Sequence, residues 1–197
     1  YPNAGKSTLI SKVSAAKPKI ADYPFTTLVP NLGVVRLNSG ESFVLADIPG
    51  LIEGAHEGAG LGHRFLRHIE RTRVLIFVLD TAQTENRDVL DDYHTLRREL
   101  EKFHPSLASK PYLIAANKMD LPEARNNIAK LQEKFGDHLM MISAATGKGT
   151  QELMARAYQL LSSIPMEETV AGDEVVLRKF HDEPAFVIEN IDGVFEV

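Results

Sequence analysis

Tyr1-Pro2-Asn3-Ala4-Gly5-Lys6-Ser7-Thr8 decides how the rest of the chain is read. Its first seven residues match the last seven positions of the phosphate-loop pattern G-x-x-x-x-G-K-[ST], which lacks only its opening glycine here. In such a loop successive backbone N–H groups wrap a phosphate chain, Lys6 sets its ammonium against the outer phosphates, and the Ser7 hydroxyl is placed to ligate Mg²⁺. A helix expected from Lys6 to about Lys17 adds the positive end of its dipole. A loop of this kind hangs from the carboxyl end of a central strand, so a first strand and the first glycine are expected to be missing from this fragment. G-K-S-T alone also suits a plain loop leading into a helix, so the motifs further along the chain carry the weight.

The 197 residues carry 22 Lys+Arg against 27 Asp+Glu, a formal charge of −5, with 44% hydrophobic and 25% charged residues. That composition fits one globular domain with a small appendage. The chain has no cysteine, which excludes thiol redox chemistry, disulfides and Cys-ligated zinc and fits a reducing compartment better than a secreted one. The longest apolar run, Val74-Leu75-Ile76-Phe77-Val78-Leu79, is far short of the roughly 20 residues of a membrane-spanning helix, so membrane insertion is not expected. Nor is a secretory leader expected, because Tyr1-Pro2-Asn3 opens without a basic and apolar segment. Mild acidity gives no reason for broad capture of nucleic acid. Lys12, Lys17 and Lys19 could still face RNA locally, although a solvated helix end suits them equally.

Short apolar runs alternate with helical patterns, the signature of an α/β fold with a mostly parallel sheet. The run at Val74 to Leu79, Tyr112-Leu113-Ile114-Ala115-Ala116 and Met140-Met141-Ile142 read as buried strands. Val89, Tyr93, Leu96, Leu100 and Phe103 lay one apolar stripe along a helix, and Leu153, Ala157, Leu160, Leu161 and Ile164 do so in a last helix that Pro165 stops. Asn38-Ser39-Gly40-Glu41 separates two strand-like runs and predicts a hairpin with one antiparallel strand. A domain is therefore placed at 1–165, an acidic linker at 166–174, and the start of a truncated second domain at 175–197, with a turn at Asp192-Gly193.

Four further motifs come after the phosphate loop in order. Phe25-Thr26-Thr27-Leu28 offers a threonine hydroxyl, preferably Thr27, to complete a metal shell. Asp47-Ile48-Pro49-Gly50 ends a strand with a carboxylate that can hold Mg²⁺ through water and a Gly50 amide that can meet a γ-phosphate. Asn117-Lys118-Met119-Asp120 succeeds one buried strand and Ser143-Ala144-Ala145 another. The Asp120 carboxylate can accept two hydrogen bonds from guanine N1 and N2, which adenine cannot supply. Strand ends also carry Asn or Asp as turn formers; the ordered set of five is what separates the two readings.

These residues resemble the GTPase domain of the Obg family, also called CgtA. The resemblance is carried by Tyr1 to Ser7, by Asp22-Tyr23-Pro24-Phe25-Thr26-Thr27-Leu28-Val29-Pro30-Asn31-Leu32-Gly33, and by Asp47-Ile48-Pro49-Gly50-Leu51-Ile52-Glu53-Gly54-Ala55. Phe186 to Val197 resembles the opening of that family's C-terminal domain. The resemblance implies a P-loop NTPase fold of the Ras-like kind, a three-layer α/β sandwich. It implies nucleotide contacts from Tyr1, Pro2, Asn3, Ala4, Gly5, Lys6, Ser7 and Thr8, from Phe25, Thr26, Thr27, Leu28 and Val29, and from Asp47, Ile48, Pro49 and Gly50. Asn117, Lys118, Met119, Asp120, Ser143, Ala144 and Ala145 complete the set, and Ser7, Thr27 and Asp47 are its metal residues. It further implies a cytoplasmic GTPase, expected as a monomer, that uses Mg²⁺, binds GTP, GDP and guanosine tetraphosphate (ppGpp), and acts with ribosomal RNA and proteins in large ribosomal subunit assembly and stress response.

Hydrolysis requires a positioned water and neutralised phosphate charge. Lys6 serves the second need. The residue after Gly50 is Leu51, where Ras-like proteins place a water-orienting glutamine, and an aliphatic side chain cannot orient water. The sequence resembles GTPases with a hydrophobic residue there, some of which use K⁺ through an early phosphate-loop asparagine; Asn3 holds that position, and stabilising the turn is its alternative role. The glycine-rich stretch from Leu51 to Gly62 reads as a switch segment, in which Glu53 and Glu57 could help arrange water, although ordinary switch polarity is the stronger reading. His56, His63 and His68 lack the spacing of a helical metal pair. Two other readings stay open: an ATPase, which Asp120 speaks against, and a nucleotide-sensing scaffold with incidental hydrolysis, for which Leu51 leaves room.

Overall fold

The computed structural model describes residues 3–15, 19–20, 31–47, 72–103, 105–165, 189–191 and 194–196. The chain divides into two units, Tyr1–Pro165 and Met166–Val197. The described part of the first runs α1 (Lys6–Val13), β1 (Lys19–Ile20), β2 (Asn31–Arg36), β3 (Ser42–Ala46), β4 (Leu75–Asp80), α2 (Val89–Phe103), α3 (Pro105–Ala108), β5 (Tyr112–Asn117), α4 (Arg125–Phe135), β6 (Leu139–Met141) and α5 (Thr150–Ser163).

β4, β5 and β6 form a parallel sheet in that order. Its strands are apolar up to the polar residues that end β4 and β5, Asp80 and Asn117, because helices cover both faces, and the period of two sends alternate residues to opposite sides. Val78, Leu113 and Ala115 pack with Leu9 and Val13 of α1 and with Leu153, Met154 and Ala157 of α5. Phe77, Leu79, Ile114 and Ala116 pack on the other face with Val89, Tyr93 and Leu100 of α2 and Leu131 and Phe135 of α4. Burying each such large side chain stabilises the fold by about 1.5–3 kcal/mol.

The helices start and stop for local reasons. Asp88 caps α2, its Oδ1 accepting hydrogen bonds from the Leu90 and Asp91 amides at 2.8 and 3.3 Å. Gly149, at φ 74°, leads into α5, and Ile164 turns extended behind it, one residue before Pro165. The register of β4 on β5 sets Asp80 opposite Asn117. The loops that leave these strands therefore emerge side by side at the sheet's carboxyl edge.

Two expectations need correction. The first helix ends at Val13, not near Lys17, because Ser14 turns extended and bridges Val35 while the Ala15 amide donates to the Val34 carbonyl oxygen at 2.8 Å. Strand pairing wins there because Gly33 admits the chain: a Cβ at that position would stand 2.1 Å from Ser14 Oγ. The antiparallel part is also larger than one strand. β1, β2 and β3 form their own antiparallel sheet, with the expected hairpin between β2 and β3. Two residues, Lys19–Ile20, are too short a run for periodicity to detect.

In the second unit, β7 (Glu189–Ile191) and β8 (Val194–Glu196) pair antiparallel, with Ile191 opposite Val194 on either side of the expected turn positions. Among the described residues no helix is long and apolar enough to cross a membrane.

Candidate functional site

The described part of the phosphate loop is held in an unusual backbone path. Asn3 sits at φ 58° and Gly5 at φ 95°, the left-handed region that glycine enters at least cost. Gly5 directly precedes α1, and its carbonyl oxygen accepts from the Leu9 amide at 2.9 Å. The first-turn amides of a helix have no carbonyl partner within it, so the start of such a helix suits an anion. Ala4 is buried, Lys6 half-buried, and Ser7 and Thr8 are exposed on that turn.

Asn117, at the end of β5 and 3% exposed, ties three segments together. Its Nδ2 donates to the Ala4 carbonyl oxygen at 2.8 Å, and its Oδ1 accepts from the Ala144 amide at 2.8 Å. Its own carbonyl oxygen accepts from the Thr81 amide at 3.1 Å. The approach to the phosphate loop is close: a Cβ at Gly5 would lie 2.2 Å from Asn117 Nδ2. Glycine is therefore required there for space as well as for φ.

Asp120 is exposed, and its Oδ1 accepts from the Ser143 hydroxyl at 2.6 Å. Ser143 is fixed in turn by a tight loop: Gly147 N donates to its carbonyl oxygen at 2.8 Å, its amide donates to Lys148 O at 2.9 Å, and Thr146 N donates to its hydroxyl at 3.1 Å. The Met119 amide donates to Ile142 O at 3.1 Å, and Ala145 is exposed on the same loop. One carboxylate oxygen of Asp120 is thus anchored, which orients the group.

Lys118, at φ 66°, donates from Nζ to Asp80 Oδ2 at 2.9 Å and to Thr84 Oγ1 at 2.7 Å. Burial alone would push the Asp80 carboxyl up, but hydrogen bonds from Thr84 and Lys118 and the ammonium charge outweigh it and hold the group below its usual value. Asn3 Nδ2 donates to Glu85 Oε1 at 2.9 Å. With that nitrogen engaged, Oδ1 is the atom of Asn3 suited to ligate a cation.

One observation bears on the residues expected to hold a metal. Asp47 succeeds β3 and is 8% exposed, yet its Oδ1 has no hydrogen-bond partner among the described residues. A buried carboxylate oxygen without a donor is costly in isolation. A hydrated divalent cation would satisfy it, and the carboxylate with the Ser7 hydroxyl is the hard-oxygen chemistry that Mg²⁺ takes. Tyr1, Pro2, Phe25, Thr26, Thr27, Leu28, Val29, Ile48, Pro49 and Gly50 lie outside the described residues, as do Leu51 to Gly62 and His56, His63 and His68.

The structure thus joins Asn3, Ala4, Gly5, Asn117, Lys118, Asp120, Ser143 and Ala144 into one connected group. It adds Asp80, Thr84 and Glu85, which sequence reading missed. A signal was present for Asp80, a carboxylate closing an apolar strand, but its partner lies 38 residues away and is legible only from strand register.

A family model described as 50S ribosome-binding GTPase matches residues 1–118. The chain is 62% identical over all of its 197 residues to the GTPase Obg of Syntrophomonas wolfei, of which it covers 47%. It is likewise 62% identical to the GTPase Obg of Desulforudis audaxviator, over 87% of this chain and 41% of that protein. The chain therefore spans about half the length of the curated relatives it matches. Among solved structures, the G domain of the T. maritima FeoB iron transporter superposes with a TM-score of 0.59 at 23% identity, over 81% of this chain and 93% of that one. Nucleolar GTP-binding protein 1 of Plasmodium falciparum gives 0.56 at 19%, over 82% of each chain. These likenesses show the fold.

Proposed function

We propose, starting from the fact that this chain belongs to the 50S ribosome-binding GTPase family, that it binds GTP with Mg²⁺ and hydrolyses it to GDP and phosphate, as a nucleotide-dependent switch on the large ribosomal subunit. The observation that carries the reading is the Asn117 tie between the phosphate loop and the Ser143-Ala144 loop, beside an Asp120 carboxylate oriented by Ser143. It supports a single ligand with phosphates at one end and guanine at the other.

Each residue then has a task. Backbone amides from Asn3 to Thr8 and the start of α1 wrap the phosphates, and the Lys6 ammonium neutralises charge on the outer two. Ser7, Thr27 and, through water, Asp47 would hold Mg²⁺, which supplies charge neutralisation at the β- and γ-oxygens when bound. Asp120 selects guanine, with Lys118 and Ala144 lining the base. Phe25 to Val29 and Ile48 to Gly50 complete the nucleotide contacts. Asn3 would help hold K⁺, which when bound supplies positive charge to the phosphates as an arginine finger does; Leu51 stands where Ras-like proteins place the water-orienting glutamine. The fold around this site is of the Ras-like three-layer kind, with a domain over 1–165, a linker over 166–174 and a further domain beginning at 175. In the cell the protein is a cytoplasmic monomer that also binds ppGpp, meets ribosomal RNA and proteins of the large subunit, and acts in assembly and stress response.

A second reading, a guanine-nucleotide sensor with incidental hydrolysis, is favoured only by the aliphatic Leu51. Single-turnover GTP hydrolysis in potassium, with and without large ribosomal subunits, separates the two. Acceleration by subunits and subunit binding that depends on the γ-phosphate are expected. Slow turnover with binding indifferent to the γ-phosphate would establish the sensor instead.

A further inference from the structure

We propose that Asp80 is the positioning residue for Lys118: the carboxylate that ends β4, with the Thr84 hydroxyl, fixes the Lys118 ammonium so that the lysine stem presents a rigid apolar edge to the purine. This rests on the guanine-binding reading above and extends the base site to two residues outside N-K-x-D.

Asp80 is 5% exposed, where a carboxylate is tolerated only if its oxygens are satisfied. The loop behind it supplies three donors: Ala82 N at 3.2 Å to Oδ1, and Thr84 N at 3.1 Å and the Thr84 hydroxyl to Oδ2. Those three already fold the turn. The fourth donor, Lys118 Nζ, belongs to another strand's loop, and nothing in the turn itself requires it.

Lys118 is shaped for the contact. Its backbone takes φ 66°, a conformation that costs a non-glycine residue and persists where surroundings enforce it, commonly at ligand clamps. Its ammonium has two acceptors at once, Asp80 Oδ2 and Thr84 Oγ1, and its side chain is 22% exposed. A lysine otherwise loses much rotational freedom when a ligand orders it. Ordered beforehand by Asp80 and Thr84, it spares the binding step that loss, which is preorganisation. The parallel register that places Asp80 opposite Asn117, next to Lys118, makes the pairing a property of the sheet and not of a chance rotamer.

The test is a double-mutant cycle on the protein, with D80N, T84V and K118M alone and combined, read by equilibrium titration of a fluorescent GDP and by ligand-free thermal unfolding. D80N is expected to weaken GDP binding about tenfold and T84V about threefold in the wild-type background, and neither by more than about twofold once K118M is present. Losses that persist in full beside K118M, or no loss in the single variants, would overturn the proposal. Thr84 is exposed, so T84V decides alone should D80N fail to unfold cooperatively. If the wild-type protein binds no GDP, the guanine-binding reading fails and takes this inference with it. Wild-type binding with additive losses overturns the Asp80 proposal only.

Discussion

The Asn117 side-chain amide donates to the Ala4 carbonyl oxygen at 2.8 Å, joining the end of β5 to a loop 113 residues earlier in the chain. Both groups are buried. The bond fixes where the loop of Asn3 to Gly5 sits relative to the end of β5, and under the proposed function that sets the phosphate end of the ligand against its base end.

Asn117→Ala leaves the Ala4 carbonyl and the Ala144 amide buried without partners. The cost is about 1–3 kcal/mol for each group, so a loss of about 2–6 kcal/mol in urea-denaturation stability is expected, with GTP affinity falling alongside it. Gly5→Ala should behave similarly, because its Cβ would collide with the same side chain from a φ of 95°. Unchanged stability in both variants would show that the tie contributes nothing.

Acid should reveal the Asp80 pair. Its folded pKa lies below the usual carboxylate value, so the unfolded chain takes up the proton first as pH falls. The stability the group contributes is complete above the unfolded pKa of about 3.9 and is lost as pH falls through the lower folded value. Urea midpoints measured from pH 6 to pH 3 should fall more steeply for the wild type than for Asp80→Asn. Parallel curves would contradict this.

The parallel sheet was legible because β4 and β5 are continuous apolar runs, and α2 because its stripe holds to one face. Less visible were features decided by tertiary contact. The early end of α1 depends on Ser14 meeting Val35, and β1 exists only through its pairing with β2. At the site, Asn117, Lys118 and Asp120 stood out as a motif, whereas Asp80, Thr84 and Glu85 carry no pattern of their own. Their roles arise from strand register and from a loop that reaches both Asn3 and Lys118, neither of which periodicity encodes.

Asp47→Asn should weaken metal dependence. Replacing the carboxylate whose Oδ1 has no partner among the described residues is expected to raise the Mg²⁺ concentration for half-maximal GTP hydrolysis about tenfold. An unaltered Mg²⁺ titration would remove Asp47 from the metal shell.

Asn3 gives a monovalent-cation prediction. GTP hydrolysis should be faster in potassium than in sodium buffer, and Asn3→Ala should abolish the difference. Glu85→Ala, which frees the Asn3 amide from the 2.9 Å hydrogen bond it now donates, should reduce the potassium effect without removing it. Equal wild-type rates in the two salts would assign Asn3 to the turn alone.

Base selection is tested most directly at Asp120, the carboxylate that Ser143 orients from 2.6 Å. Competition of GDP and XDP for the wild-type protein and for Asp120→Asn should show a wild-type preference for GDP that reverses in the variant, since an amide oriented the same way donates where the carboxylate accepted and so matches the xanthine carbonyl. If the variant keeps the wild-type preference for GDP, the purine is not read by this residue and guanine recognition at this edge of the sheet is wrong.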